Sequence, residues 1–257
     1  MPYADNMGIH IHYKTEGEGP PLVLQHGSLY TLESWYDYGY VSALKNDYQL
    51  ILLDARGHGA SDKPHNPDAY DLKKRVEDIV AVLDDLGIAK SHYFGYSMGG
   101  WIGFGVAQYA PERFQSLIIG GQHPYAQNMD GLRQFVQYGV ENGPEAFVAM
   151  WERELGALSS EAKERMLAYD FATHLVIAQD RESLEAVLPM IRMPCMLYAG
   201  EMDEAYPLAK KCAEQIANVT FVTLPGLDHM GAIMRIDEVL PHVKRFLEEV
   251  DQQTGAA

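Results

Sequence analysis

Ser97 stands in Gly95-Tyr96-Ser97-Met98-Gly99-Gly100, between a β-favouring run over 91–94 and an apolar, helix-compatible segment from Trp101. A serine at the apex of so tight a strand-to-helix turn is held in a strained backbone conformation, with its hydroxyl out over the strand end. Gly95 and Gly99, two residues either side, leave room for neighbouring elements. The helix that follows aims its first N–H groups, Met98 foremost, at negative charge forming on a bound carbonyl. Ser97 is therefore the candidate nucleophile and Met98 the first candidate oxyanion donor.

A serine hydroxyl needs a base to remove its proton. His229 lies in Pro225-Gly226-Leu227-Asp228-His229-Met230, just past a predicted strand over 220–224, at the same sheet edge as Ser97. Asp203 follows a predicted strand over 194–200 and can accept a hydrogen bond from one imidazole nitrogen while the other faces the hydroxyl. Asp228, Glu201 and Glu204 are the rival acids; a sequence neighbour of the histidine, such as Asp228, usually projects elsewhere. The second oxyanion donor is expected from His26-Gly27-Ser28, where the Ser28 N–H can turn toward Ser97. His26 reads as a brace for that loop. The Asp, Arg and His of residues 54–62 (DARGHGASD) read likewise as loop braces, since Arg is a poor proton carrier.

The elements that must position these groups are legible as periodicities. Leu22-Val23-Leu24-Gln25 and YQLILL over 48–53 are continuous apolar runs, as strands buried on both faces require. Residues 70–86 place Leu72, Val76, Ile79, Val80, Leu83 and Leu86 at helical spacing, closed by Gly87. Residues 9–14 (IHIHYK) alternate, which predicts an exposed antiparallel edge strand with His10 and His12 solvated on one face. A strand at 117–119, a helix from Pro207 and a last helix over roughly 232–250 complete the alternation. Strands separated by helices predict an α/β fold with a mostly parallel sheet, whose ligands bind beyond the carboxyl ends of its strands.

The 257 residues suit one domain with an insertion, and 47% hydrophobic against 22% charged residues is an ordinary globular balance. No apolar run is long enough to span a bilayer, so no membrane partner is expected. A net charge of −16 would repel phosphate backbones, so nucleic acid is not an expected partner either. Residues 1–8 lack the basic and apolar parts of a secretory signal, which points to the cytoplasm. Cys195 and Cys212 lack metal-ligand spacing and read as buried core thiols. No metal and no organic cofactor is expected, and a monomer and a homodimer both remain open.

Between residues 121 and 189 strand signals give way to helical periodicity with many aromatic and methionine side chains, a helical cap on a core formed by 1–120 and 190–257. Over 121–190 there are eleven acidic and five basic residues and no knot of cations, so a neutral, largely apolar small-molecule substrate is expected. Tyr30, Trp35, Tyr96, Tyr125 and Trp151 are the residues expected to line its cavity.

HGS at 26–28, DARGHGASD at 54–62, GYSMGG at 95–100, GEMD at 200–203 and LDHMG at 227–231 together resemble the α/β-hydrolase superfamily, over nearly the whole chain. The resemblance implies an eight-stranded sheet with helices on both faces, a cap after the sixth strand, and a Ser97-Asp203-His229 triad with the Ser28 and Met98 N–H groups as oxyanion hole. Within that superfamily a serine nucleophile excludes haloalkane dehalogenases and epoxide hydrolases. The expected activity is hydrolysis of carboxylic esters or lactones, acyl homoserine lactones among them, with short to medium acyl chains. A C–C hydrolase, a cofactor-free oxygenase or perhydrolase, and a ligand receptor are the alternatives. C–C hydrolases usually carry Asn before the nucleophile and cationic side chains, where this chain has Tyr96 and an acidic cap.

Overall fold

The computed structural model describes residues 2–255, without the side chains of residues 154, 155 and 254. Eight strands, β1 (Tyr3–Asn6), β2 (Ile9–Glu16), β3 (Pro21–Gln25), β4 (Gln49–Leu53), β5 (Ser91–Tyr96), β6 (Phe114–Gly120), β7 (Cys195–Gly200) and β8 (Val219–Leu224), form one sheet. Their order is β1-β2-β4-β3-β5-β6-β7-β8; β2 is antiparallel to both neighbours, and the strands from β4 to β8 are parallel. The helices of the core are α1 (Ser34–Asp37), α2 (Tyr40–Leu44), α3 (Leu72–Asp85) and α4 (Met98–Tyr109). The insertion adds α5 (Asp130–Asn142), α6 (Pro144–Leu155), α7 (Ser160–Leu167) and α8 (Phe171–Ile177), and the core resumes with α9 (Tyr206–Ala213), α10 (Gly231–Met234) and α11 (Ile236–Thr254).

The continuous apolar strands serve two cores because successive side chains point to opposite faces. Val23, Ile51, Tyr93, Leu117 and Leu197 pack with α3, α4 and α9; their neighbours Leu24, Leu52, Phe94, Ile118 and Met196 pack with α1, α2, α10 and α11. Cys195 and Cys212 are buried free thiols in the first of these cores.

Two expectations are corrected. Residues 9–14 do not form the edge: the two residues Met7 (φ 54°) and Gly8 (φ 86°) turn the chain into a hairpin that adds β1 outside β2. His12 is accordingly buried, its Nδ1 2.7 Å from Asp54 Oδ2, while His10 stays exposed beside Asp62. The last helix is interrupted at Arg235 (ψ 68°), so α10 and α11 are separate.

The 54–62 loop braces itself as read from the sequence. Asp54 accepts from the N–H groups of Leu32 and Ala60, and Arg56 forks onto the buried Asp78 carboxylate of α3. The cap packs Phe147, Phe171 and Val136 among Leu132, Phe135 and Tyr169, a small core of its own. A bridge between Gln127 and Arg181 ties its two connections together. Leu184, Val187 and Leu188, at the end of the stretch expected to be cap, pack instead into the main core.

Candidate active site

Ser97 sits between β5 and α4 with φ 53° and ψ −113°, a left-handed conformation that costs an L-residue roughly 1–3 kcal/mol. The surroundings hold it there: its N–H donates to the Gly120 carbonyl at 2.9 Å, and its carbonyl accepts from Trp101 N at 2.9 Å. A Cβ at Gly95 would meet the Gly99 carbonyl oxygen at 2.2 Å, and one at Gly99 the Gln25 carbonyl oxygen at 2.2 Å. The glycines are thus required by backbone approaching backbone. Met98 is the first residue of α4, where an N–H has no carbonyl partner within the helix.

Asp203 follows β7 and is buried, its side chain 3% exposed; Oδ2 lies 2.7 Å from His229 Nδ1 and Oδ1 accepts from Ala205 N at 2.9 Å. The carboxylate therefore fixes the tautomer with the proton on Nδ1 and leaves Nε2 as the acceptor. The rival acids are engaged locally: Asp228 accepts from Gly231 N and Glu201 from Gly226 N. His229 is further held by Tyr96, whose ring lies 5.3 Å from the imidazole and whose hydroxyl donates to the His229 carbonyl.

Ser97 and His229 line the same cavity, of about 200 Å³. Of the other sequence-predicted residues, Ser28, Tyr30, Tyr96 and Trp151 line it too. Trp35 reaches its wall, but the ring is 2% exposed and packs edge-on against Tyr40 and tilted against Phe94, so it belongs mainly to the core. Tyr125 is the correction. Its hydroxyl accepts from Gln215 and Lys211 lies over its ring at 4.5 Å, which ties it to α9 and outside that cavity. Tyr38, edge-on to Tyr30 at 6.1 Å, and Met230, whose sulfur accepts from the Tyr30 hydroxyl, are lining residues the sequence reading missed. The tyrosine-rich run over 36–40 was the available signal for Tyr38.

The loop carrying Ser28 is braced by His26, whose Nδ1–H donates to the Gly27 carbonyl at 2.8 Å while Nε2 accepts from Ala55 N at 3.0 Å. Burial holds its pKa below the ordinary value, as a neutral imidazole with both nitrogens occupied requires. Leu29, next to Ser28, has φ 67°, a second non-glycine residue in the left-handed region beside the site. Among the described residues no group of His, Cys, Asp and Glu is arranged to hold a metal ion, and no helix is long and apolar enough to cross a membrane.

Residues 20–150 match the model of the alpha/beta hydrolase fold family. A relative in Pseudomonas savastanoi pv. phaseolicola, provisionally named carbamate hydrolase RutD, is 26% identical over 95% of this chain and 98% of its own. Among solved structures, an enol-lactonase from Burkholderia xenovorans LB400 superposes with a TM-score of 0.83 at 24% identity, covering 96% of this chain and all of that one. A thermophilic esterase from Thermogutta terrifontis gives 0.80 at 20% identity, covering 97% and 98%. At these identities the structural likeness speaks to the fold.

Proposed function

The chain belongs to the α/β-hydrolase family, and from that premise we propose that it hydrolyses carboxylic esters or lactones through an acyl-enzyme on Ser97. The observation that carries this reading is the 2.7 Å contact between His229 Nδ1 and the buried Asp203, with His229 and Ser97 on one cavity wall. Ser97 Oγ attacks the carbonyl carbon as His229 Nε2 takes its proton. The oxyanion is met by the N–H groups of Ser28 and Met98 as charge develops on the carbonyl oxygen. The imidazolium then protonates the departing alcohol. Water, deprotonated by the same imidazole, releases the acid and restores the serine.

The cavity wall of Tyr30, Tyr38, Trp151 and Leu29 suits an apolar group on the acyl or alcohol side. The relative named for carbamates adds a second acyl class within the same mechanism, since a carbamoyl-serine forms and hydrolyses through the same groups. Turnover of graded p-nitrophenyl esters, lactones and carbamates, by the protein and by Ser97→Ala, tests the proposal. The variant is expected to lose on the order of 10³-fold or more in kcat. Retention of activity on the best substrate would favour a cofactor-free oxygenase or perhydrolase. Failure of Ser97 to take up a fluorophosphonate would favour a ligand receptor.

A further inference from the structure

A second cavity, of about 410 Å³, shares Ser28 and Leu132 with the aromatic one and extends to Met98, so it adjoins the proposed oxyanion hole. Two arginines from distant parts of the chain lie in its wall: Arg75 of α3 and Arg181 at the end of the cap. Arg75 is 4% exposed; its Nε donates to the Tyr70 carbonyl at 2.9 Å and its Nη1 lies 3.7 Å from Met98 Sδ. Arg181 donates to Gln127 Oε1 at 2.9 Å. The indole of Trp101 is shared between them, the guanidinium of Arg181 4.6 Å and that of Arg75 5.9 Å from the ring centroid.

Neither guanidinium is in an ion pair among the described residues, because the nearby carboxylates are engaged elsewhere. Asp78 is forked by Arg56, Asp180 lies 2.9 Å from Arg133 and Asp71 3.9 Å from Lys74. The indole Nε1–H of Trp101 is buried with no acceptor among the described residues. Burial and then the charge of Arg56 pull the Arg75 pKa down to about 10; burial and then the charge of Arg75 pull Arg181 down to about 9. Both remain cationic at neutral pH. Arg75 is buried and Arg181 half-buried, and stacking on Trp101 offsets only part of the cost of holding two like charges so close together.

We infer that this chamber takes a carboxylate carried by the substrate, gripped by Arg75 and Arg181 beside the Trp101 N–H, so that the preferred esters or lactones are monoanions. The inference rests on the serine-hydrolase reading and replaces the neutral substrate expected from the charge count. Planar guanidinium forks match a carboxylate in two parallel hydrogen bonds. Lys73 also lines the chamber, and Asp71, Asp180 and Glu182 bring the formal charge of the lining back to zero, which leaves no surplus for a second negative charge. The shared wall at Ser28 lets one molecule place its carbonyl at Ser97 and its carboxylate between the arginines.

The test compares the mono-p-nitrophenyl ester of glutarate with p-nitrophenyl hexanoate, in the native protein, Arg181→Gln and Arg181→Lys. The half-ester is expected to have a kcat/KM at least about tenfold higher. Arg181→Gln should lower that preference about 10–100-fold, the effect of losing a charged hydrogen-bond partner, and Arg181→Lys should restore part of it. Equal turnover of the two esters, or a preference unmoved in Arg181→Gln, overturns the inference and leaves the hydrolase reading standing. Calorimetric binding of monomethyl glutarate to Ser97→Ala, with and without Arg181→Gln, separates the two. Binding weakened by Arg181→Gln without any turnover by the native protein keeps the carboxylate site and sinks the hydrolase; no binding and no turnover sink both.

Discussion

Tyr96 is the residue whose role changes most between sequence and structure. Expected in the cavity wall, it also reaches back to donate to the carbonyl of His229 while its ring flanks the imidazole, so it holds the proposed base as well as lining the pocket. Tyr96→Phe leaves the His229 carbonyl without this donor; kcat is expected to fall about tenfold with KM nearly unchanged, as for a loss of about 1–2 kcal/mol of positioning. A fall in KM affinity alone would make Tyr96 a contact of the substrate only. Asp203→Asn acts more severely, because an amide in that place stabilises the wrong imidazole tautomer. A drop in kcat on the order of 10³–10⁴-fold is expected, with melting temperature little changed. The pair separates orienting an imidazole from setting its proton.

At the scale of elements, the turn between β5 and α4 is held by carbonyls packed against glycines. Gly99→Ala places a methyl 2.2 Å from the Gln25 carbonyl oxygen of β3 and should cost about 2–4 kcal/mol in denaturant unfolding. Gly87→Ala, with open space around it and only its φ of +67° to strain, should cost about 1–2 kcal/mol. The seam between core and cap is a second such device. His174 of α8 meets His58 of the 54–62 loop edge-on at 4.6 Å, and His58 lies 5.0 Å from His26 of the loop carrying Ser28. Burial, with smaller contributions from His26 and Lys63 against the opposing pull of Asp170, brings His174 down to about 4; burial, His174 and Arg75 hold His58 well below its ordinary value. The folded state keeps these rings neutral while the unfolded chain protonates them near the ordinary histidine value of 6.5. Stability is therefore complete above 6.5 and is lost as the pH falls toward about 4, where His174 itself takes a proton. His174→Gln should flatten the melting temperature across that window; an unchanged slope would remove His174 as its cause.

For the whole molecule, 36 acidic against 20 basic residues impose self-repulsion that salt screens. The melting temperature is expected to rise with added sodium chloride at neutral pH, and a flat response would mean that local pairing, as at Arg133 with Asp130 and Asp180, already absorbs the excess. The same surplus makes the two arginines beside Trp101 conspicuous: among the described residues they are cations without a carboxylate in ion-pair contact, in a strongly acidic protein.

Local pattern alone was enough for the parallel sheet, the serine turn, the polar loops carrying Asp203 and His229, and the self-bracing 54–62 loop, because each depends on residue period, on glycine where backbones meet, or on motif order. It could not place what depends on approach in space. Arg75 and Arg181 meet only when the cap folds over α3 and α4, so a count of cap charges found no knot of cations where folding sets two arginines on one indole. Tyr125 and Trp151 carry the same aromatic signal in the cap sequence, yet one packs on α9 and the other lines the cavity that holds Ser97. Likewise β1 exists because a two-residue turn closes onto β2 and buries His12, a pairing whose free energy comes from the partner strand rather than from the four residues that make it.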